Sequence, residues 1–159
     1  MKHFYALIIA GGMFTLPSGA IAQQINTPLQ DERLNLVRCL AAIEDLQPSY
    51  RTHMAKSCVE IPLKVCALRG TAVPCLQDTN GMLRAFYDNV RSDFPTDIEG
   101  SEFVKRAYKR GLMTIDRVFS AEPEDEITEQ ALSAKYKSYA QATVDLFYRA
   151  HQAKLDLPR

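Results

Sequence analysis

Apolar residues recur every three or four positions through most of the chain, and this spacing predicts helices rather than strands. No stretch alternates apolar and polar residues for long enough to indicate a strand. The pattern therefore predicts an all-α fold, a small bundle of about five helices. The most regular apolar stripe contains Val104, Tyr108, Leu112, Ile115 and Phe119.

Three helices are predicted in the N-terminal half of the chain. The first ends before Pro48, because proline disfavours helix in the residue that precedes it. Pro62 falls inside the second helix and predicts either a kink or a late start there. Gly70 ends the second helix, and Pro74 suits the first turn of the third. The predicted helices cover about 29–46, 52–68 and 74–91.

Two longer helices are predicted in the C-terminal half. Thr96 and Glu99 have the spacing of a capping box, so the fourth helix is expected to begin there and to run to about Phe119. An acidic turn follows, and the fifth helix is expected from about Glu126 to Leu155. Core packing is the expected use of its aromatic stripe, and a binding face is the alternative. The apolar positions of this helix are Leu132, Tyr136, Tyr139, Thr143, Phe147 and Ala150, and its aromatic stripe is Tyr136, Tyr139 and Phe147 with Tyr148.

The first 22 residues have the organisation of a cleavable secretory signal peptide. Lys2 is followed by an uncharged apolar run over 4–16, and Ala20-Ile21-Ala22 has the small-x-small pattern that signal peptidase recognises. This run is shorter than the roughly 20 residues that span a bilayer. We therefore expect export to the periplasm or beyond the cell, no membrane span after cleavage, and one helical domain over 23–159.

The four cysteines, Cys39, Cys58, Cys66 and Cys75, all lie in the expected mature chain. An even number of cysteines in an oxidising compartment predicts two disulfides in the N-terminal half. Pairing Cys58 with Cys66 is disfavoured, because eight residues of helix separate two positions by about 12 Å. Two connectivities remain: Cys39–Cys58 with Cys66–Cys75, and Cys39–Cys66 with Cys58–Cys75. The first is favoured, because each bridge would then close one helix hairpin.

Charge and motif content exclude several classes of function. The chain has 19 basic and 19 acidic residues, so a nucleic-acid partner is not expected. The sequence has no G-x-S-x-G motif and no glycine-rich phosphate loop, and His53 and His151 each stand alone. The acidic residues are expected at helix starts and on solvated faces. We therefore expect a non-enzyme without catalytic, cofactor-binding or metal-binding residues.

The segment SCVEIPLKVC, followed by PCLQDTNGMLRAFYDNV, resembles part of the lysozyme inhibitor LprI-like family of small exported proteins. The similarity covers about 39–94, and the usual tryptophan and glutamate of the family are replaced by Tyr87 or Phe86 and by Asp78. The resemblance implies a disulfide-bonded helical protein of the cell envelope. For some members it also implies binding and inhibition of lysozyme. The matching positions, which look structural, are Cys39, Cys75, Asp78, Tyr87 and Asp88.

The leading functional hypothesis is a periplasmic, non-enzymatic protein that binds another envelope protein and inhibits a lysozyme-type muramidase. The expected contact loop is the turn over 68–74, with Arg69, Gly70 and Thr71 as its contact residues, because a preorganised loop loses less entropy on docking. Its alternative is a plain connection between helices. Two other functions are an immunity protein against a secreted cell-wall amidase, and an envelope structural or assembly factor.

Cleavage after Ala22 is expected to give a mature protein that begins at Gln23, because Ala20 and Ala22 occupy the small-residue positions. The intact mass of the protein purified from the periplasm measures this directly. A mass that includes residues 1–22 would contradict both the cleavage site and the predicted compartment.

Overall fold

The computed structural model describes residues 35–121 and 127–158, and within these residues the chain is helical and contains no strand. The all-α prediction is therefore confirmed. The predicted signal peptide lies outside the described residues. The α-helices are α1 (Leu36–Ala42), α2 (Pro48–Leu68), α3 (Ala72–Val90), α4 (Glu102–Ser120) and α5 (Glu129–Ala153), with a 3-10 helix at Arg91–Asp93 after α3.

The first two helices differ from their predicted bounds. α1 ends at Ala42 because the chain then turns, with the N–H of Leu46 donating to the carbonyl of Ile43 at 3.1 Å. α2 begins at Pro48, four residues before its predicted start, because proline at the first helical position has no N–H that needs a partner. The helix continues through the buried Pro62, so a late start at this proline is wrong. The predicted beginning of the first helix lies outside the described residues.

α4 is capped by Ser101, and the predicted capping box of Thr96 and Glu99 is wrong. The Ser101 hydroxyl accepts a hydrogen bond from the N–H of Val104 at 3.4 Å. Gly100 has a φ of +138°, a backbone conformation that side chains with a Cβ rarely adopt. A helix cannot pass through this conformation, so α4 cannot extend back to Thr96.

A side-chain cap defines the start of α5, and a left-handed residue defines its end. The Thr128 hydroxyl accepts a hydrogen bond from the N–H of Ala131 at 3.2 Å, so the helix begins at Glu129. Lys154 adopts the left-handed conformation with a φ of 55°, which ends the helix at Ala153. The predicted start at about 126 lies outside the described residues.

The core forms where α5 packs against α3 and α4. The rings of Tyr87 and Phe119 stack with centroids 4.3 Å apart, and the rings of Phe119 and Tyr139 lie 4.6 Å apart, so one aromatic column joins the three helices. All three side chains are buried. Core packing of the α5 aromatic stripe is confirmed for Tyr136, Tyr139 and Phe147, which are buried, and is wrong for Tyr148, which is exposed.

Two hydrogen bonds between distant parts of the chain set the position of α5. The Tyr136 hydroxyl donates to the carbonyl of Val59 in α2 at 3.1 Å. The Asn80 amide in α3 donates to the carbonyl of Leu132 at 3.1 Å. Both donors belong to buried side chains, for which an unpaired polar group would be costly. These contacts place α5 against the inner sides of α2 and α3.

Both disulfides form with the favoured connectivity. Cys39–Cys58 joins α1 to α2, and Cys66–Cys75 joins α2 to α3, with Cα–Cα distances of 5.7 and 5.5 Å. The two cysteines of α2 are buried. α2 is therefore linked covalently to the helix before it and to the helix after it.

Replacement of all four cysteines by serine is expected to lower the melting temperature sharply and to leave substantial helical circular dichroism. Each bridge contributes about 3 kcal/mol on the chain-entropy model, because the linked cysteines are 19 and 9 residues apart. The C-terminal helices depend on no bridge and should keep their helical signal. Thermal unfolding followed at 222 nm measures both quantities. An unchanged melting temperature would contradict a stabilising role for the bridges.

Candidate functional site

The predicted contact loop is shorter than the sequence indicated. α3 begins at Ala72, two residues before Pro74, so only Arg69, Gly70 and Thr71 lie between α2 and α3. Pro74 then occupies the first turn of α3, where its missing N–H removes no intrahelical hydrogen bond. Arg69, Gly70 and Thr71 therefore form the whole connection between the two helices.

This turn is held in one conformation by its backbone and by the Cys66–Cys75 disulfide. The N–H of Arg69 donates to the carbonyl of Cys66 at 3.3 Å. Gly70 has a φ of +66°, the left-handed conformation that commonly follows the end of a helix. The N–H of Cys75 donates to the carbonyl of Thr71 at 3.2 Å. The turn is thus preorganised, as expected for a contact loop.

The surface of the turn is dominated by Leu68, the last residue of α2. This residue is 87% exposed, the largest value among the exposed large apolar residues of the described chain. Thr71 is also exposed, and its hydroxyl makes no capping hydrogen bond to α3. The turn therefore offers one apolar side chain and one hydroxyl to a partner.

Leu68 ends a row of exposed apolar side chains along α2, at spacings of four, seven and seven residues. Because an α-helix has 3.6 residues per turn, residues at these spacings lie within about 40° of one another around the helix axis. The buried residues of α2, among them Cys58, Pro62 and Cys66, lie on another side of the helix. We call this row the α2 apolar row; it consists of Tyr50, Met54, Ile61 and Leu68.

Helical periodicity alone did not identify the α2 apolar row. α2 carries apolar residues on its buried side and on its exposed side, so no single face stands out in the sequence. The spacing of the four large residues is close to a heptad repeat, and this spacing is the sequence signal that could have identified the row. Cys58 and Cys66 are buried, and their side of α2 is therefore the one that faces the core.

A partly buried ionic cluster joins the ends of α3 and α4. The Arg91 guanidinium bonds both carboxylate oxygens of Asp116, at 2.5 and 2.8 Å, and the Tyr87 hydroxyl donates to the same carboxylate at 2.8 Å. The hydrogen bonds from Arg91 hold the pKa of Asp116 below its usual value. Burial, together with the Asp116 carboxylate, raises the pKa of Tyr87 to about 12. The three groups satisfy one another, which is typical of a structural cluster.

The positions that match the family pattern have structural or surface roles. Tyr87 belongs to the ionic cluster, and Cys39 and Cys75 form disulfides. Asp88 is exposed and pairs with Arg84 one turn earlier at 3.0 Å. Asp78 is exposed as well, so two of the matched residues lie at the surface and the other three hold the helices together.

The remaining polar residues considered in the sequence lie at the surface. His53 and His151 are exposed. Asp97 lies 3.7 Å from Lys105, whereas Glu99 lies 3.3 Å from a lysine after α5, so the two acids have different partners. In residues 35–121 and 127–158 no three histidine, cysteine or acidic side chains are grouped so that they could hold a metal ion. None of the helices over these residues combines the length and apolar character of a membrane span.

Comparison with known proteins leaves the turn and the α2 apolar row as the main basis for a functional argument. No family model, no curated protein and no solved structure matches the chain. The resemblance to the lysozyme inhibitor LprI-like family therefore contributes a hypothesis about the partner. The geometry of α2 and of the turn contributes the surface on which that hypothesis can be tested.

Replacing Asp116 with asparagine is expected to destabilise the protein by about 1–2 kcal/mol at pH 7, because charge-assisted hydrogen bonds are lost. The folded-state pKa of Asp116 lies below the unfolded value, so its stabilising effect is present above that unfolded value and is lost as the pH falls through the folded pKa. The difference between parent and variant should therefore shrink from about pH 5 downward. Urea unfolding of both proteins at several pH values measures this difference in the free energy of unfolding.

The matched control for this measurement is Asp78→Asn, at an exposed position of α3. This change should leave stability within about 0.5 kcal/mol of the parent, as is usual at the surface. A difference between the Asp116→Asn variant and the parent that stays constant down to pH 2 would contradict the role assigned to the carboxylate.

Proposed function

We propose that the protein is exported and binds another envelope protein without catalysing a reaction. The disulfides support export, because such bonds form and persist in oxidising compartments. The α2 apolar row, which runs into the preorganised turn, is the observation that carries the binding proposal. A partner would remove these apolar side chains from water, which is the main favourable term in protein association.

The alignment of the α2 apolar row along one side of the helix supports a binding surface more strongly than the number of its residues. Single exposed apolar residues are ordinary on protein surfaces and need no explanation. Here four large side chains lie along one side of a helix of 21 residues, a length of about 30 Å. A row of this kind matches helix-in-groove recognition, in which side chains at successive turns occupy pockets of the partner. The proposed interface is therefore elongated and centred on α2.

The proposed partner is a lysozyme-type muramidase, which the resemblance of the cysteine region supports. Enzymes of this class work with two carboxyl groups that flank the scissile bond in a cleft. The turn at Gly70 would approach that cleft, with the Thr71 hydroxyl as a hydrogen-bond donor to a carboxylate. Because the disulfide already orders the turn, little conformational entropy would be lost on docking.

Isothermal titration against purified lysozymes of several types tests the proposal, and at least one is expected to bind with a Kd below about 10 µM. Leu68→Asp should weaken that binding by at least about tenfold, because a charged group would have to be buried where the α2 apolar row meets the turn. Inhibition of the bound lysozyme should weaken in parallel.

Met113→Asp is the matched control, since Met113 is a similarly exposed apolar residue on α4, with 63% of its side chain accessible. Its lysozyme affinity should equal that of the parent. No binding by any lysozyme would contradict the proposed partner. Affinity capture from periplasm with parent and Leu68→Asp baits would then show whether a wall amidase or an assembly partner depends on the same residue.

A further inference from the structure

A groove between α1, α2 and α5 lies on a different side of α2 from the apolar row. Its volume is about 580 Å³, within the range of about 300–1,000 Å³ that is usual for small-molecule sites. Thr52, Ala55 and Val59 contribute to its α2 wall. The floor of the groove is apolar and includes Leu40, Ile43, Leu63, Val144 and Phe147.

The charges that line the groove are mainly positive. The lining contains three cations and two carboxylates: Arg51, Lys56, Lys137, Glu44 and Glu60. Glu60 is already paired with Lys64, which lies outside the lining, at 3.0 Å. The lining therefore holds three cations against the two carboxylates of Glu44 and Glu60, and the exposed His151 also contributes to it. This imbalance favours a ligand with a negative charge.

Arg51 adds a polar observation at the same place. Its Nη2 donates to the carbonyl of Leu46 at 3.0 Å, which fixes the guanidinium beside the groove. Its Nε is buried and has no acceptor among the described residues. A buried donor without an acceptor is costly, and a ligand oxygen that accepts from it would remove that cost.

We propose that this groove binds a single-chain amphiphile with an anionic head group. The chain lies on the apolar floor between α2 and α5, and the head group lies against the lining cations. The groove follows α2 from Arg51 to Leu63, a helix length of about 18 Å, which suits an extended chain better than a compact ring. Carboxylate and phosphate oxygens both form charge-assisted hydrogen bonds with arginine and lysine.

The test uses the mature, disulfide-bonded protein and isothermal titration with probes below their micellar concentrations. Dodecanoate should bind at one site per chain, and dodecyltrimethylammonium should bind at least about tenfold more weakly, because its head group is repelled by the lining cations. Lysophosphatidylglycerol and dodecanoate separate the two head-group sources, and saturable binding of either supports the shared chemistry. Equal affinity for anionic and cationic amphiphiles would overturn the proposal.

Charge-reversal variants test whether dodecanoate binds in the groove. The double change Lys56→Glu with Lys137→Glu should weaken dodecanoate binding by at least about tenfold. The matched control is Arg106→Glu, an exposed charge reversal on α4 away from the groove, and it should bind dodecanoate like the parent. Circular dichroism checks that each variant is folded, and Lys137→Gln serves as the milder variant if the double change unfolds the protein.

Three outcomes would overturn the assignment. The first is parental dodecanoate affinity in the folded double variant, or in Lys137→Gln where that variant replaces it. The second is the same loss of affinity in Arg106→Glu, which would show a general charge effect. The third is saturable binding of an acidic amphipathic peptide without binding of any anionic amphiphile. The lysozyme titrations remain a separate experiment, because the groove and the α2 apolar row lie on different sides of α2.

Discussion

The covalent attachment of α2 to both of its neighbours is the constraint on which the N-terminal half of the structure and both proposed binding surfaces depend. Cys58 links it to α1 and Cys66 links it to α3. A helix without crosslinks is held in place by one continuous apolar face, and it has to bury that face. Because the disulfides hold α2, the helix can leave large apolar residues at the surface and can stand beside an unfilled groove. Both proposed binding surfaces follow from this arrangement.

The C-terminal half of the molecule is held together by packing instead. The aromatic column of Tyr87, Phe119 and Tyr139 joins α3, α4 and α5, and the Arg91–Asp116 pair joins the end of α3 to α4 at the edge of the core. These contacts bury nearly all of the apolar stripe of α4. The packed half therefore supports the crosslinked half, which carries the α2 apolar row.

The sequence predicted the fold class, because helical periodicity is a local property, and the length of the C-x7-C segment disfavoured the Cys58–Cys66 pairing. Of the two connectivities that remained, the favoured one is observed. The sequence did not predict the start of α4, since Thr96 and Glu99 have suitable capping spacing, and the conformation of Gly100 is visible only in the fold. It also did not predict the exposure of Leu68. When a helix has apolar residues on two faces, the sequence pattern does not show which of the faces is buried. The buried face is set by the helices that pack against it.

Amide hydrogen exchange of the native protein, with and without a phosphine reductant, tests most directly whether the disulfides hold α2 in place. The account predicts that reduction removes protection from the amides of α2 and leaves the amides of α4 and α5 protected, because only α2 is attached through two bridges. Unchanged protection of α2 after complete reduction would contradict the account. Equal loss of protection in all helices would also contradict it, since the packed half would then depend on the same bonds.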